Sequence, residues 1–92
     1  MSTFNMQIVT PDGLFFNGKA EKVIVRAAMG DLCVLAGHAD LVSPINEGAV
    51  KITLENGNAK TARCKGGFIS IKRNTAKIVS CGFVWTDDNV PY

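Results

Sequence analysis

The run Ala49-Val50-Lys51-Ile52-Thr53-Leu54-Glu55-Asn56-Gly57-Asn58-Ala59-Lys60-Thr61-Ala62-Arg63-Cys64-Lys65 decides the fold. Val50, Ile52 and Leu54 recur at every second position with Lys51 and Thr53 between them, so one face of an extended strand is apolar and the other polar. Asn56-Gly57 supplies the positive φ angles that a tight reversal needs. The return from Ala59 to Lys65 then sets Ala62 and Cys64 inward against Thr61, Arg63 and Lys65. This is a hairpin with one buried face.

Similar segments lie on both sides. Met6 to Thr10 runs into the turn cluster Pro11-Asp12-Gly13, and Leu14-Phe15-Phe16 runs into Asn17-Gly18, which predicts a second turn. From Lys19 to Ala27, Val23, Val25 and Ala27 alternate with Lys22, Ile24 and Arg26. Gly66-Gly67 opens Phe68-Ile69-Ser70-Ile71-Lys72, Arg73-Asn74-Thr75 turns the chain into Ala76 to Ser80, and Phe83-Val84-Trp85 makes a last short strand. The stretch from Gly30 to Gly48 reads as irregular, its apolar runs broken by Gly37-His38 and Ser43-Pro44. Helical periodicity is almost absent. The pattern predicts an all-β fold, an antiparallel β-sandwich or flattened barrel of about ten short strands. With 92 residues there is room for one domain, expected over 1–86, and the polar residues 87–92 read as a short tail.

Composition narrows the function classes. The chain is 47% hydrophobic and 20% charged, as a folded soluble domain is, and no run reaches the ~20 apolar residues of a membrane span. A formal charge of +2 with scattered Lys and Arg, one Trp and one Tyr argues against a nucleic-acid groove or stacking platform. The opening Met1-Ser2-Thr3-Phe4-Asn5 has no basic region and no apolar run of leader length. Cys33, Cys64 and Cys81 are odd in number, lack a C-x-x-C pair and sit at strand positions, which predicts buried core thiols rather than a zinc site with His38. His38 has Asp31 and Asp40 near it in sequence, but a general base also needs a nucleophile and a stabiliser of developing charge. Gly66-Gly67 leads into a strand, not into a helix that would hold phosphate. Neither an enzyme nor a cofactor or nucleotide site is predicted.

An ordered set of motifs remains. Met6-Gln7-Ile8-Val9-Thr10-Pro11-Asp12-Gly13 is followed by Phe16-Asn17-Gly18, then by Gly30-Asp31-Leu32, Leu35, Gly37-His38-Ala39 and Leu41. Gly48, Val50, Ile52 and Gly66-Gly67-Phe68 complete it. In order and spacing this set resembles the β-sandwich domain of ATP synthase epsilon subunits over about residues 5 to 82. The resemblance implies two packed antiparallel sheets and a non-catalytic rotor subunit of the central stalk, which couples ion-driven rotation to ATP synthesis. It implies two partners, the gamma subunit and the c ring, and a peripheral position at the cytoplasmic face of an energy-transducing membrane, without membrane insertion. Gly30, Asp31 and Leu32 fall on the motif that meets the c ring; Gly37, His38, Ala39 and Leu41 fall on the motif near gamma. An isolated copy can then self-associate through the patch meant for gamma.

Three positions depart from the family's pattern: Cys33 stands for a common Gly, and Ala36 and Asp40 stand for common prolines. The loop is therefore expected to be less pre-set. No helical pattern follows Trp85, so the C-terminal helical hairpin common in the family, with its inhibitory and ATP-sensing roles, is not expected here. Two other readings share the fold class: a β-sandwich protein-binding module of another complex, and a small thiol- or metal-dependent enzyme built on His38 and the cysteines.

Overall fold

Apolar residues at alternate positions bury one face of a segment only if its backbone is extended, and extended backbone dominates the chain. The computed structural model describes residues 2–27 and 30–86, and the tail expected over 87–92 lies outside them. Nine strands follow in order: β1 (Phe4–Thr10), β2 (Gly13–Ala27), β3 (Gly30–Leu35), β4 (Leu41–Ile45), β5 (Gly48–Leu54), β6 (Ala59–Cys64), β7 (Gly67–Lys72), β8 (Thr75–Ser80) and β9 (Phe83–Thr86). No helix occurs among the described residues.

The two layers are joined by β2. Drawn straight, its 15 residues would span about 46 Å. The longest extent of the molecule is 27 Å, so β2 has to bend. Its first half pairs with β1, and its second half carries β3 on one side and β5 on the other. The change of partner centres on Ala20, which is fully buried between Phe4 and Leu54, and the β2–β5 register slips between Ala20 and Lys22. Such a bulge adds local twist where a strand leaves one sheet for another. The first layer therefore runs β2, β1, β8, β7, β4, and the second runs β3, β2, β5, β6, β9. The expected sandwich is present, and its ladders are antiparallel except for the parallel β1–β8 pair.

Inward residues of both layers make one core. Met6, Ile8, Val23, Val25, Ile52, Ile69 and Ile78 are fully buried, and Ala62 and Cys64 point inward as the hairpin pattern requires. Where the edge of the first layer meets β9 of the second, aromatic rings fill the seam. Phe15 lies 5.3 Å from Phe83 and 5.5 Å from Trp85 between ring centroids, and the Lys60 ammonium sits 4.7 Å over the Trp85 ring. Ser80, buried at 4% exposure, ties the other end together: its hydroxyl lies 2.7 Å from the Gly66 carbonyl and 2.8 Å from that of Gly82. The Cys64 thiol donates to the same oxygen at 3.4 Å.

Four expectations need correction. Asn17-Gly18 is no turn but mid-strand, because Asn17 and Gly18 stay in register with Gln7 and Met6. A side chain at Gly18 would lie 3.2 Å from the Phe16 ring, so the glycine makes room for that ring instead of reversing the chain. The stretch 30–48 is mostly strand, since β3 and β4 find partners far away in β2 and β7. At the 55–58 turn only Gly57 takes a positive φ, 87°, and Asn56 instead accepts a bond from the Asn58 amide. Of the three cysteines only Cys64 is a core thiol; Cys33 faces outward beside Ile24, and Cys81 sits in the exposed β8–β9 turn.

Candidate docking surfaces

The residues singled out for contact lie at opposite ends of β3. Gly30, Asp31 and Leu32 begin it, and Gly37, His38 and Ala39 come just after its end at Leu35. Five residue steps of extended chain separate the ends, about 17 Å. The structure therefore gathers Gly37, His38 and Ala39 with Leu41 at one end and keeps Asp31 apart from them. Leu32 and Leu41 are partly buried and pack against the core, so the exposed members are Gly30, Asp31, Gly37 and Ala39.

Asp31 is not a free anion. It faces Arg26 across the β2–β3 ladder, with Oδ1 3.4 Å from Nε and both side chains about half exposed. A pair this wet contributes ~1 kcal/mol or less and mainly fixes register. Arg26 in turn lies over Gly48, where an added Cβ would come within 2.9 Å of its Cγ. His38 closes a turn through its amide, which donates to the Leu35 carbonyl at 3.2 Å. Its ring donates from Nδ1 to the Ala39 carbonyl at 2.7 Å.

The loop 36–40 is held although the two prolines are absent. Asn74 Oδ1 accepts from the Gly37 amide at 3.0 Å, and Asp40 Oδ1 accepts from the Arg73 amide at 3.3 Å. Hydrogen bonds to the β7–β8 turn take over the constraint that proline rings would impose, so the expected loosening is offset. Among the described residues no group of three or more His, Cys, Asp or Glu side chains converges as a metal site would require.

Sequence reading missed an apolar row on the surface. Cross-strand register lines up Pro44, Phe68, Val79, Val9 and Leu14 in one row across the whole outer side of the first layer. Phe68 and Leu14 are 44% and 59% exposed, and Val42, one pleat along from Pro44, is 70% exposed. Beside the middle of the row an open groove of about 590 Å³ is lined by Val9, Pro11, Gly67, Phe68, Val79 and Cys81 among others. The next row, Val42, Ser70, Lys77, Gln7 and Asn17, is largely polar. An apolar strip with a polar flank is the anatomy of a protein interface. The row itself needs the register of five strands, which no single segment carries.

This geometry can be set beside known proteins. The family described as ATP synthase, Delta/Epsilon chain, beta-sandwich domain matches residues 3–86, nearly the whole chain. The chain belongs to that family. Its relatives among ATP synthase epsilon chains include that of Caldicellulosiruptor saccharolyticus, 31% identical over 88 residues, covering 96% of this chain and 64% of the relative. The epsilon chain of Bacillus velezensis is 38% identical over 80 residues, covering 87% and 60%. This member of the delta/epsilon family thus spans about three fifths of the length of these relatives. Two solved assemblies contain the same fold: a chain of the Euglena gracilis mitochondrial ATP synthase, described as OSCP/F1/c-ring, with TM-score 0.86 at 20% identity over 92% of this chain and 54% of that one; and a chain of the Tetrahymena thermophila mitochondrial ATP synthase central stalk and c-ring, with TM-score 0.71 at 16% identity over 86% and 63%. Among the described residues no helix is long and apolar enough to cross a membrane.

Proposed function

We propose that this chain is a non-catalytic rotor part of a rotary ATP synthase, docking on the gamma subunit through the apolar side of its first layer and presenting the start of β3 to the c ring. The observation that carries the reading is the apolar row from Pro44 to Leu14 on a member of the delta/epsilon family. A chain that carries torque needs stiffness and adhesion more than chemistry. Close packing between two layers supplies the first, because side chains at native density transmit strain. The apolar row supplies the second, as the centre of an interface of ~1,000 Å² or more, with the 37–41 segment a separate contact at the other end of the same layer. The half-exposed Arg26–Asp31 pair at the start of β3 suits a polar loop of the ring, where it sets register rather than affinity. In this reading the chain sits peripherally at the cytoplasmic face of the membrane, held there by its partners.

The test is calorimetric titration of the folded chain with its gamma subunit. Phe68→Asp places a charge in the middle of the row and is expected to weaken binding by about 100-fold, the loss of one buried aromatic anchor. His38→Ala is expected to weaken it less, and Asp31→Ala not to change it. No binding by the unsubstituted chain would sink the gamma assignment and favour a sandwich module of another complex.

A further inference from the structure

One hairpin turn reaches two separate segments, the loop around His38 and the start of β1. Arg73 and Asn74 turn β7 into β8 with φ of 51° and 61°, the left-handed region that Asn tolerates better than most residues. Asn74 then spends its polar groups elsewhere. Its Oδ1 accepts from the Gly37 amide at 3.0 Å, its Nδ2 donates to the Thr3 carbonyl at 2.9 Å, and its own carbonyl accepts from the Asn5 amide at 3.1 Å. The side-chain partners are 37 and 71 residues away along the chain, so these bonds join segments that the chain itself leaves free. Beside it, the Arg73 amide donates to Asp40 Oδ1 at 3.3 Å.

The loop is therefore pinned on both flanks of His38, at Gly37 through Asn74 and at Asp40 through Arg73. Neither bond stabilises a sheet ladder, and all of the side chains involved except His38 are exposed. The loop lies at the Leu41 end of the first layer, across the polar row from Phe68, and in the gamma-binding reading it is a second contact of that layer; exposed hydrogen bonds that tie such a loop down order it before a partner arrives. We propose that Asn74 is a positioning residue for docking, a clasp that holds the His38 loop in its bound shape. The proposal rests on the gamma-binding reading above. If the loop is ordered only a tenth of the time, the apparent affinity falls by the same factor.

The experiment compares the unsubstituted chain with Asn74→Gly and Asn74→Asp, by amide hydrogen exchange at Gly37 and by titration with the gamma subunit. Glycine keeps the left-handed turn and deletes both side-chain bonds. Expected are exchange at Gly37 about tenfold faster and binding about tenfold weaker, with thermal unfolding still cooperative. Aspartate restores the acceptor for the Gly37 amide and is expected to recover most of both losses. Unchanged exchange at Gly37, or faster exchange with an unchanged Kd, overturns the proposal. Failure of the unsubstituted, folded chain to bind gamma overturns the underlying reading and this role with it. The two failures are told apart by which protein shows them.

Discussion

The two layers present opposite outer sides. On the second layer the outward positions are Asp31, Cys33 and Leu35 on β3, Lys22, Ile24 and Arg26 on β2, Lys51 and Thr53 on β5, Thr61 and Arg63 on β6, and Val84 on β9. Apart from Ile24, Leu35, Cys33 and Val84 these are polar, and Lys22, Lys51 and Arg63 make the side cationic; the exposed Leu35 and Val84 stand on opposite edge strands and form no continuous row. On the first layer the corresponding outward row is Pro44, Phe68, Val79, Val9 and Leu14. Both layers obey the same alternation inward, because both must close one core. Outward, water rewards polar residues on each side equally, so folding does not account for the difference. An apolar row that folding does not require points to a second demand, contact with another molecule.

The largest effect expected is one that removes both sides at once. Ile78 is fully buried between the layers, and Ile78→Ala is expected to lower unfolding free energy by about 2–5 kcal/mol in a urea titration. Loss of under 1 kcal/mol would mean that the layers do not share a close-packed core. Next comes Gly67, whose φ is 148° and whose added Cβ would overlap the Val79 carbonyl oxygen. Gly67→Ala is expected to cost about 2–4 kcal/mol and to disorder the apolar row around Phe68 while leaving the second layer's amides protected from exchange. Equal loss of protection in both layers would contradict that separation.

The outer sides themselves are compared by charge. Val79→Lys in the middle of the row is expected to weaken gamma binding by about 30-fold, whereas Lys51→Glu on the second layer leaves it within about twofold. Equal effects would erase the distinction between the sides. The smallest effect concerns the start of β3. In a double-mutant cycle of Arg26→Ala and Asp31→Ala, a coupling of about 0.5 kcal/mol is expected, shrinking as salt is raised. A coupling that does not respond to salt would show that the pair is not the wet surface contact its exposure indicates.

How far the chain could be read varies by region. The hairpin at 49–65 was legible residue by residue, since its inward set Val50, Ile52, Ala62 and Cys64 follows from a period of two and a local turn. The turn at Arg73-Asn74 was legible for the same reason. Asn17-Gly18 misled, because a dipeptide that favours a turn was overruled by a ladder with β1 on one side. The segment 30–48 looked irregular since its strands are short and are completed only by β2 and β7. Cys33 and Cys81 are exposed against expectation because strand register and a turn, not residue type, set their depth.

By itself, then, the sequence determined that the chain is a small β-sandwich with Val23, Val25, Val50, Ile52, Ala62 and Cys64 inside, and the order of its motifs pointed to the right family. Both are local or one-dimensional properties, written in alternation and spacing. Only the tertiary structure decided that Asp31 is paired with Arg26, that Asn74 reaches Gly37 and Thr3, and that Phe68 belongs to a row five strands wide. Those facts depend on which strands lie side by side and in which register, and that choice is made by closing one core from segments distant in the chain.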